Sequence, residues 1–173
     1  MKFLQTFAPK SNHATHPRED RFHGKCLYCE GDSVLLHKHA KYGKWLQVGG
    51  HIELDEDPNE AALREAKEES GLNVVLLGKA TKIPDTIGVF RNLILPRFLD
   101  RHVADETTGH EHIDFVYFGI SATRELNPRP EERSREFHWF TEPDLDDSVY
   151  GLWASTRYYA KAALTAVQKE LPR

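Results

Sequence analysis

Between Asp57 and Gly71 the chain carries a full set of helix boundary signals, and they constrain its fold more than any other stretch. Asp57 suits the N-cap, Pro58 fits a first helical position that needs no N–H, and Glu60 completes a capping box. Gly71 can take the left-handed conformation that ends a helix. The spacing predicts a helix over 58–70. It follows "KWLQV", a short strand expected to end at Gly49-Gly50, and precedes "NVVLLG", an apolar, β-branched segment that reads as another strand. A helix flanked by strands buries its apolar stripe on a sheet.

The other segments extend that sheet. "KCLYC" and "SVLLHKH" flank Glu30-Gly31-Asp32, a tight-turn signal, and read as a hairpin. A Pro- and Gly-containing loop through Asp85 leads to "VFRNLILPRFLDRHV" and "HIDFVYFGI", a second hairpin across the polar loop "ADETTGHE". Near the C-terminus Leu152, Thr156, Tyr159, Ala163 and Val167 recur at a helical period, which predicts a second helix. The expected class is α/β, a mixed sheet with helices packed on it. A chain of 173 residues suits one domain. Residues 1–22 are polar, include Pro9 and Pro17, and read as a leader; 23–173 form the domain.

Composition excludes several functions. With 39% apolar and 29% charged residues the chain is that of a globular protein, and no apolar run approaches the ~20 residues of a membrane span. The first residues have no apolar segment of secretory length, so a cytoplasmic location without a membrane partner is expected. A net charge of -4, with no Lys/Arg cluster longer than a pair, argues against a grip on long nucleic acid, while a small phosphorylated ligand fits. Cys26 and Cys29 superficially match a redox or zinc pair. On a strand, residues three apart face opposite ways, so two reduced structural cysteines are expected.

The predicted helix has one costly feature. Glu65, Glu68 and Glu69 share a side of it, and like charges at that spacing cost roughly 0.2 to 0.5 kcal/mol per pair. Nearby positive charge is too small to balance them. One reading is a solvated acidic face. The other is a hard-oxygen site: three carboxylates, with a backbone carbonyl that Gly49 and Gly50 allow to approach, suit Mg²⁺ or Mn²⁺.

The full spacing favours the second reading. Gly50, five residues, Glu56, seven residues, Arg64-Glu65, Ala66, Lys67, Glu68-Glu69, Ser70 and Gly71-Leu72 together resemble the signature of the Nudix hydrolases, G-x5-E-x7-R-E-U-x-E-E-x-G-U, with U usually a bulky aliphatic. Ala66, at the first U, is smaller than usual. "KWLQVGGHIE" is similar to the family's lead-in strand, although Val48 stands where many members have Pro, and "EFHWFT" resembles a late family strand. The resemblance implies a Nudix-type α/β/α sandwich and Mg²⁺-dependent hydrolysis of a nucleoside diphosphate linked to another moiety, such as a nucleoside triphosphate, nucleotide sugar or ADP-ribose. It implies that Glu65 and Glu69 ligate the metal, with Glu68 direct or through water and the carbonyl of Gly49 completing the set. Arg64 and Glu56 would orient these acids. A glutamate of the signature, Glu65 or Glu69, is the first candidate for general base, and Glu111, in the loop before "HIDFVYF", the second. The alternative function is a catalytically silent nucleotide-binding module on the same fold.

Ten histidines raise the question of zinc, since His37 with His39 and His110 with His112 are two apart and would share a strand face. No zinc motif accompanies them, and exposed or substrate-contacting histidines are expected, with His51 nearest the substrate phosphates. Trp45, Tyr117 and Trp139 lie in apolar strands and are expected in the core rather than on a nucleobase. Lys41, Lys44, Arg97 and Arg101 are candidates for contact with an anion that nothing in the sequence singles out.

Overall fold

The computed structural model describes residues 22–84, 88, 90–132 and 135–170; most of the expected leader and Asp85 lie outside the described residues. In chain order the elements are β1 (Phe22–Glu30), β2 (Ser33–His39), β3 (Lys44–Leu46), β4 (Val48–His51), α1 (Pro58–Ser70), β5 (Val74–Leu76), β6 (Phe98–Asp105), β7 (His110–Ser121), β8 (Glu136–Thr141), α2 (Glu142–Asp146) and α3 (Ala154–Glu170).

Helix α1 has the predicted limits because its caps form. The Asp57 carboxylate accepts the N–H groups of Asn59 and Glu60, the Glu60 carboxylate accepts that of Asp57, and Gly71 at φ 79° donates its N–H to the Lys67 carbonyl. A Cβ at Gly71 would come within 2.1 Å of the Asn127 carbonyl oxygen, so close packing as well as positive φ requires glycine.

The strands make one eight-stranded hydrogen-bonded network. At its centre β1 and β7 run parallel, from Phe22 opposite Ile113 to Cys29 opposite Ile120. The first half of β1 also pairs with β4 and its end with β2, while β7 pairs with β6 and then β5. Both expected hairpins form, β1–β2 and β6–β7. Two boundaries differ from expectation. "KWLQV" is divided at Gln47, since β3 pairs with β2 and β4 with β1. Nor do the glycines stop β4, which runs through them to His51; a Cβ at Gly49 would meet the Gly24 carbonyl at 2.5 Å, so glycine permits this close pairing. "VFRNLILPRFLDRHV" becomes a strand only from Phe98, consistent with Pro96 having no N–H to donate to a ladder, and Ile94 makes an isolated bridge to Ala80.

Side-chain alternation along the central strands builds two cores. Cys26 and Tyr28 of β1, with Tyr117 of β7, pack with Ala62 and Ala66 of α1. Leu27 and Cys29, with Val116 and Phe118, pack with Ala160, Ala163, Leu164 and Val167 of α3. The two cysteines are free and buried on opposite faces, as expected. The result is an α/β/α sandwich. Ala66 is fully buried, and Gly24 lies so near α1 that a Cβ there would be 2.9 Å from the Ala62 nitrogen. Among the described residues no helix is long and apolar enough to cross a membrane.

Candidate active site

Beyond the apolar packing of Val48 on Ala62 and Ala66, the second half of α1 meets β4 through charged groups. Arg64 is the organising side chain. Its Nε and Nη2 donate to the two Glu56 oxygens at 2.9 and 2.6 Å, Nη1 donates to Glu65 at 2.8 Å and to Glu68 at 3.2 Å, and Nη2 also reaches the His51 carbonyl at 2.9 Å. One guanidinium thus ties the loop, the end of β4 and two helical acids together. Its hydrogen bonds hold Glu56 below the usual carboxylate range, and those carboxylates raise Arg64 further above its own.

Glu65 and Glu69 are in a different electrostatic state. Glu65 lies against β4, where a Cβ on Gly50 would meet its Oε1 at 2.3 Å. Burial raises its pKa, with Arg64 opposing. Glu69 is only 5% exposed; one oxygen accepts the Gly49 N–H at 3.1 Å and the other is paired with Arg135. Burial pushes its carboxyl up to about 7, against the pull of Arg135 and the Gly49 N–H. Glu68 is shared between Arg64 and Arg129, whose Nη2 is 2.7 Å away.

This corrects the charge balance drawn from the helix alone. Arg129 and Arg135, far along the chain in the segment before β8, bring positive charge to Glu68 and Glu69. Arg135 also pairs with Glu132 and lies 3.1 Å from His37 Nδ1. Nothing in the sequence pattern marked either arginine.

Glu65, Glu68 and Glu69 line a cavity of about 800 Å³ together with Gly49, Gly50, His51, Arg64 and Arg135. Glu56 lies behind Arg64 rather than on the cavity wall. Glu111 sits in β7, not in the preceding loop; it is 3.7 Å from Arg101 and is not among the cavity-lining residues. Trp45 and Tyr117 are core residues, and Trp139 packs against the α1-side core. Lys41, Lys44, Arg97 and Arg101 are likewise off the wall: Lys44 donates to the Gly151 carbonyl, and Arg97 pairs with Glu170. The aromatics that do line the cavity are Tyr42, Trp153 and Tyr159, with the Tyr42 and Trp153 rings 5.7 Å apart. They come from loops and from α3, where no strand pattern pointed to them. His37, expected at the surface or on substrate, is not at the surface, being 3% exposed, but it does line the cavity; burial first and Arg135 second push it down to about 3.

Known proteins share this fold. Residues 24–162 match the NUDIX domain. A NUDIX-family hydrolase from Clostridium perfringens is 33% identical, with a TM-score of 0.73 over 86% of this chain and 98% of that one. A MutT NUDIX hydrolase from Burkholderia pseudomallei, 22% identical, superposes with a TM-score of 0.55 over 85% of this chain and 97% of that one. An ADP-ribose pyrophosphatase from Streptococcus suis, 16% identical, gives 0.52 over 86% and 92%. The latter two share the fold.

Proposed function

Since the chain belongs to the Nudix family of hydrolases, which act on nucleoside diphosphate-linked substrates, we propose that Glu65, Glu68 and Glu69 hold Mg²⁺, with Mn²⁺ as a substitute, and support hydrolysis of a diphosphate in a small nucleotide. The observation that carries this reading is the gathering of three glutamates on one cavity wall, two of them destabilised as anions by burial.

The donor set fits such an ion. It is made of carboxylate oxygens, the chemistry that Mg²⁺ requires, and the absence of a Cβ at Gly50 lets Glu65 lie against the strand. The raised pKa values mean that Glu65 and Glu69 gain from a nearby cation more than exposed acids would. Arg129 and Arg135 now meet part of that need, and they would share the carboxylates with the ion or yield them to it. The Gly49 contact in the structure is its N–H on Glu69. When bound, the ion's contribution is charge neutralisation at phosphate oxygens and acidification of water.

The chain's own groups have separable tasks. Arg64 holds Glu65 and Glu68 in place through its anchor on Glu56. Glu65 or Glu69 takes the proton from the attacking water. Glu111 is the weaker candidate, because it lies off the wall. Tyr42 and Trp153 offer ring faces to a base. The full chain should be assayed with nucleoside triphosphates, nucleotide sugars and ADP-ribose, with Mg²⁺ and with chelator. Mg²⁺-dependent release of phosphate or a monophosphate from at least one, lost in Glu69→Gln, is expected; turnover of none, or turnover unchanged by chelator, would refute the reading.

A further inference from the structure

On the other side of the same cavity lies a second cluster. β4, β1, β7 and β6 are consecutive in the sheet, and their register aligns His51 with His23, His23 with Asp114, and His112 with His102. His23 and His112 are 3.9 Å apart by ring centroids and His23 and His51 4.3 Å. One ligand nitrogen from each of His23, His51 and His112 lies within 4.8 Å of the other two. We propose that these three histidines bind one transition-metal ion of the zinc class, at a site separate from the glutamates of α1.

Two further features point to a ligand there. His23 is 6% exposed, and its Nε2 is buried with no hydrogen-bond partner among the described residues. A buried polar atom left so has lost its water without a replacement partner, and coordination would supply one. Its other nitrogen, Nδ1, is 3.8 Å from Asp114 Oδ1. That oxygen too is buried and unpartnered, while Oδ2 of the same carboxylate pairs with Lys25. At 3.8 Å Nδ1 and Oδ1 make no hydrogen bond, but a small approach on metal binding would let the carboxylate orient His23 as a ligand.

Nitrogen donors suit Zn²⁺ and its neighbours better than Mg²⁺, which separates the two sites by chemistry. A neutral imidazole, the ordinary form above pH about 6.5, offers a lone pair to a cation rather than charge to an anion. Bonds of about 2.0 to 2.1 Å to a tetrahedral ion place nitrogens roughly 3.3 Å apart, a modest closure that exposed His51 can supply. Three histidines leave one position for water or a substrate oxygen. His102, which forms an alternative group with His112 and Asp114, and His110 are further imidazoles beside the site, with ring centroids 5.5 and 4.9 Å from that of His112.

The test uses the full chain without a polyhistidine tag, stripped with chelator, returned to excess Mg²⁺ and titrated with Co²⁺ and with Zn²⁺. One equivalent of Co²⁺ with the intense visible bands of tetrahedral coordination, displaced by Zn²⁺, is expected. His51→Gln, at an exposed position, and His112→Gln should each weaken Co²⁺ binding at least about 100-fold, while Glu69→Gln should leave it within about 3-fold. Should His112→Gln fail to fold, His51→Gln alone decides. No Co²⁺ or Zn²⁺ uptake by the parent in Mg²⁺, or uptake lost in Glu69→Gln and kept in His51→Gln, overturns the site. Neither result depends on finding the hydrolytic substrate.

Discussion

Arg64→Ala should destabilise the protein by about 2 to 3 kcal/mol in chelator at pH 7. The residue makes five hydrogen bonds, four of them to carboxylates, at distances of 2.6 to 3.2 Å. Fully buried, an ion pair broken on one side costs about 3 to 5 kcal/mol; fully exposed, about 0.2 to 1. Here the side chains are 28% exposed for Arg64 and 11% for Glu56, which places the loss between those limits. A double-mutant cycle with Glu56→Gln should show a coupling of about 1 to 2 kcal/mol, and Arg64→Lys should keep less than half of it because an ammonium cannot match both oxygens. The sign with pH follows from Glu56. Its folded pKa is depressed, so its stabilisation is present above the ordinary value of 4.5 and is lost as pH falls through the folded value. The Arg64→Ala penalty should therefore shrink when urea unfolding, followed by tryptophan fluorescence, is repeated at pH 4. A penalty below ~0.5 kcal/mol, or a coupling to Glu56 near zero, would show that the guanidinium is solvated in solution and that its contacts do not organise the site.

Three other outcomes are expected. Glu69→Gln should lose most hydrolysis yet, in chelator, gain on the parent as pH rises: the folded pKa of about 7 lies above the ordinary 4.5, so the parent loses stability between those values, by about 2 to 3 kcal/mol from pH 5 to pH 8, and glutamine does not. Unfolding at the two pH values checks it, and an equal gap at both would mean that Arg135 keeps Glu69 ionised throughout. Gly50→Ala should fold but lower activity at least 10-fold, because its Cβ displaces the Glu65 carboxylate; parental turnover would show that Glu65 need not lie there. Gly71→Ala should cost at least about 2 kcal/mol in urea unfolding, from a φ of 79° and the 2.1 Å approach to Asn127, and a cost below ~1 would mean that the loop yields.

Local rules in the sequence determined α1 to the residue, because every cap lies within four positions of the backbone group it satisfies. They also determined both hairpins and the opposed faces of Cys26 and Cys29, which depend on turns and a period of two. The candidate glutamates were legible through a longer pattern: three and four apart on one helix they read equally as a solvated face, and the full spacing from Gly50 to Leu72, with its resemblance to the Nudix signature, singled them out. Tertiary structure decided what surrounds them. The parallel register of β1 and β7 joins segments some 90 residues apart, and no local propensity encodes such a pairing. That register alone sets His23 beside Asp114 and His112, and β4 adds His51. The same holds for Arg129 and Arg135, whose placement on Glu68 and Glu69 comes from the segment between β7 and β8 returning to α1. Charge balance is a sum over space, so a count along one helix found an excess that the folded chain partly cancels.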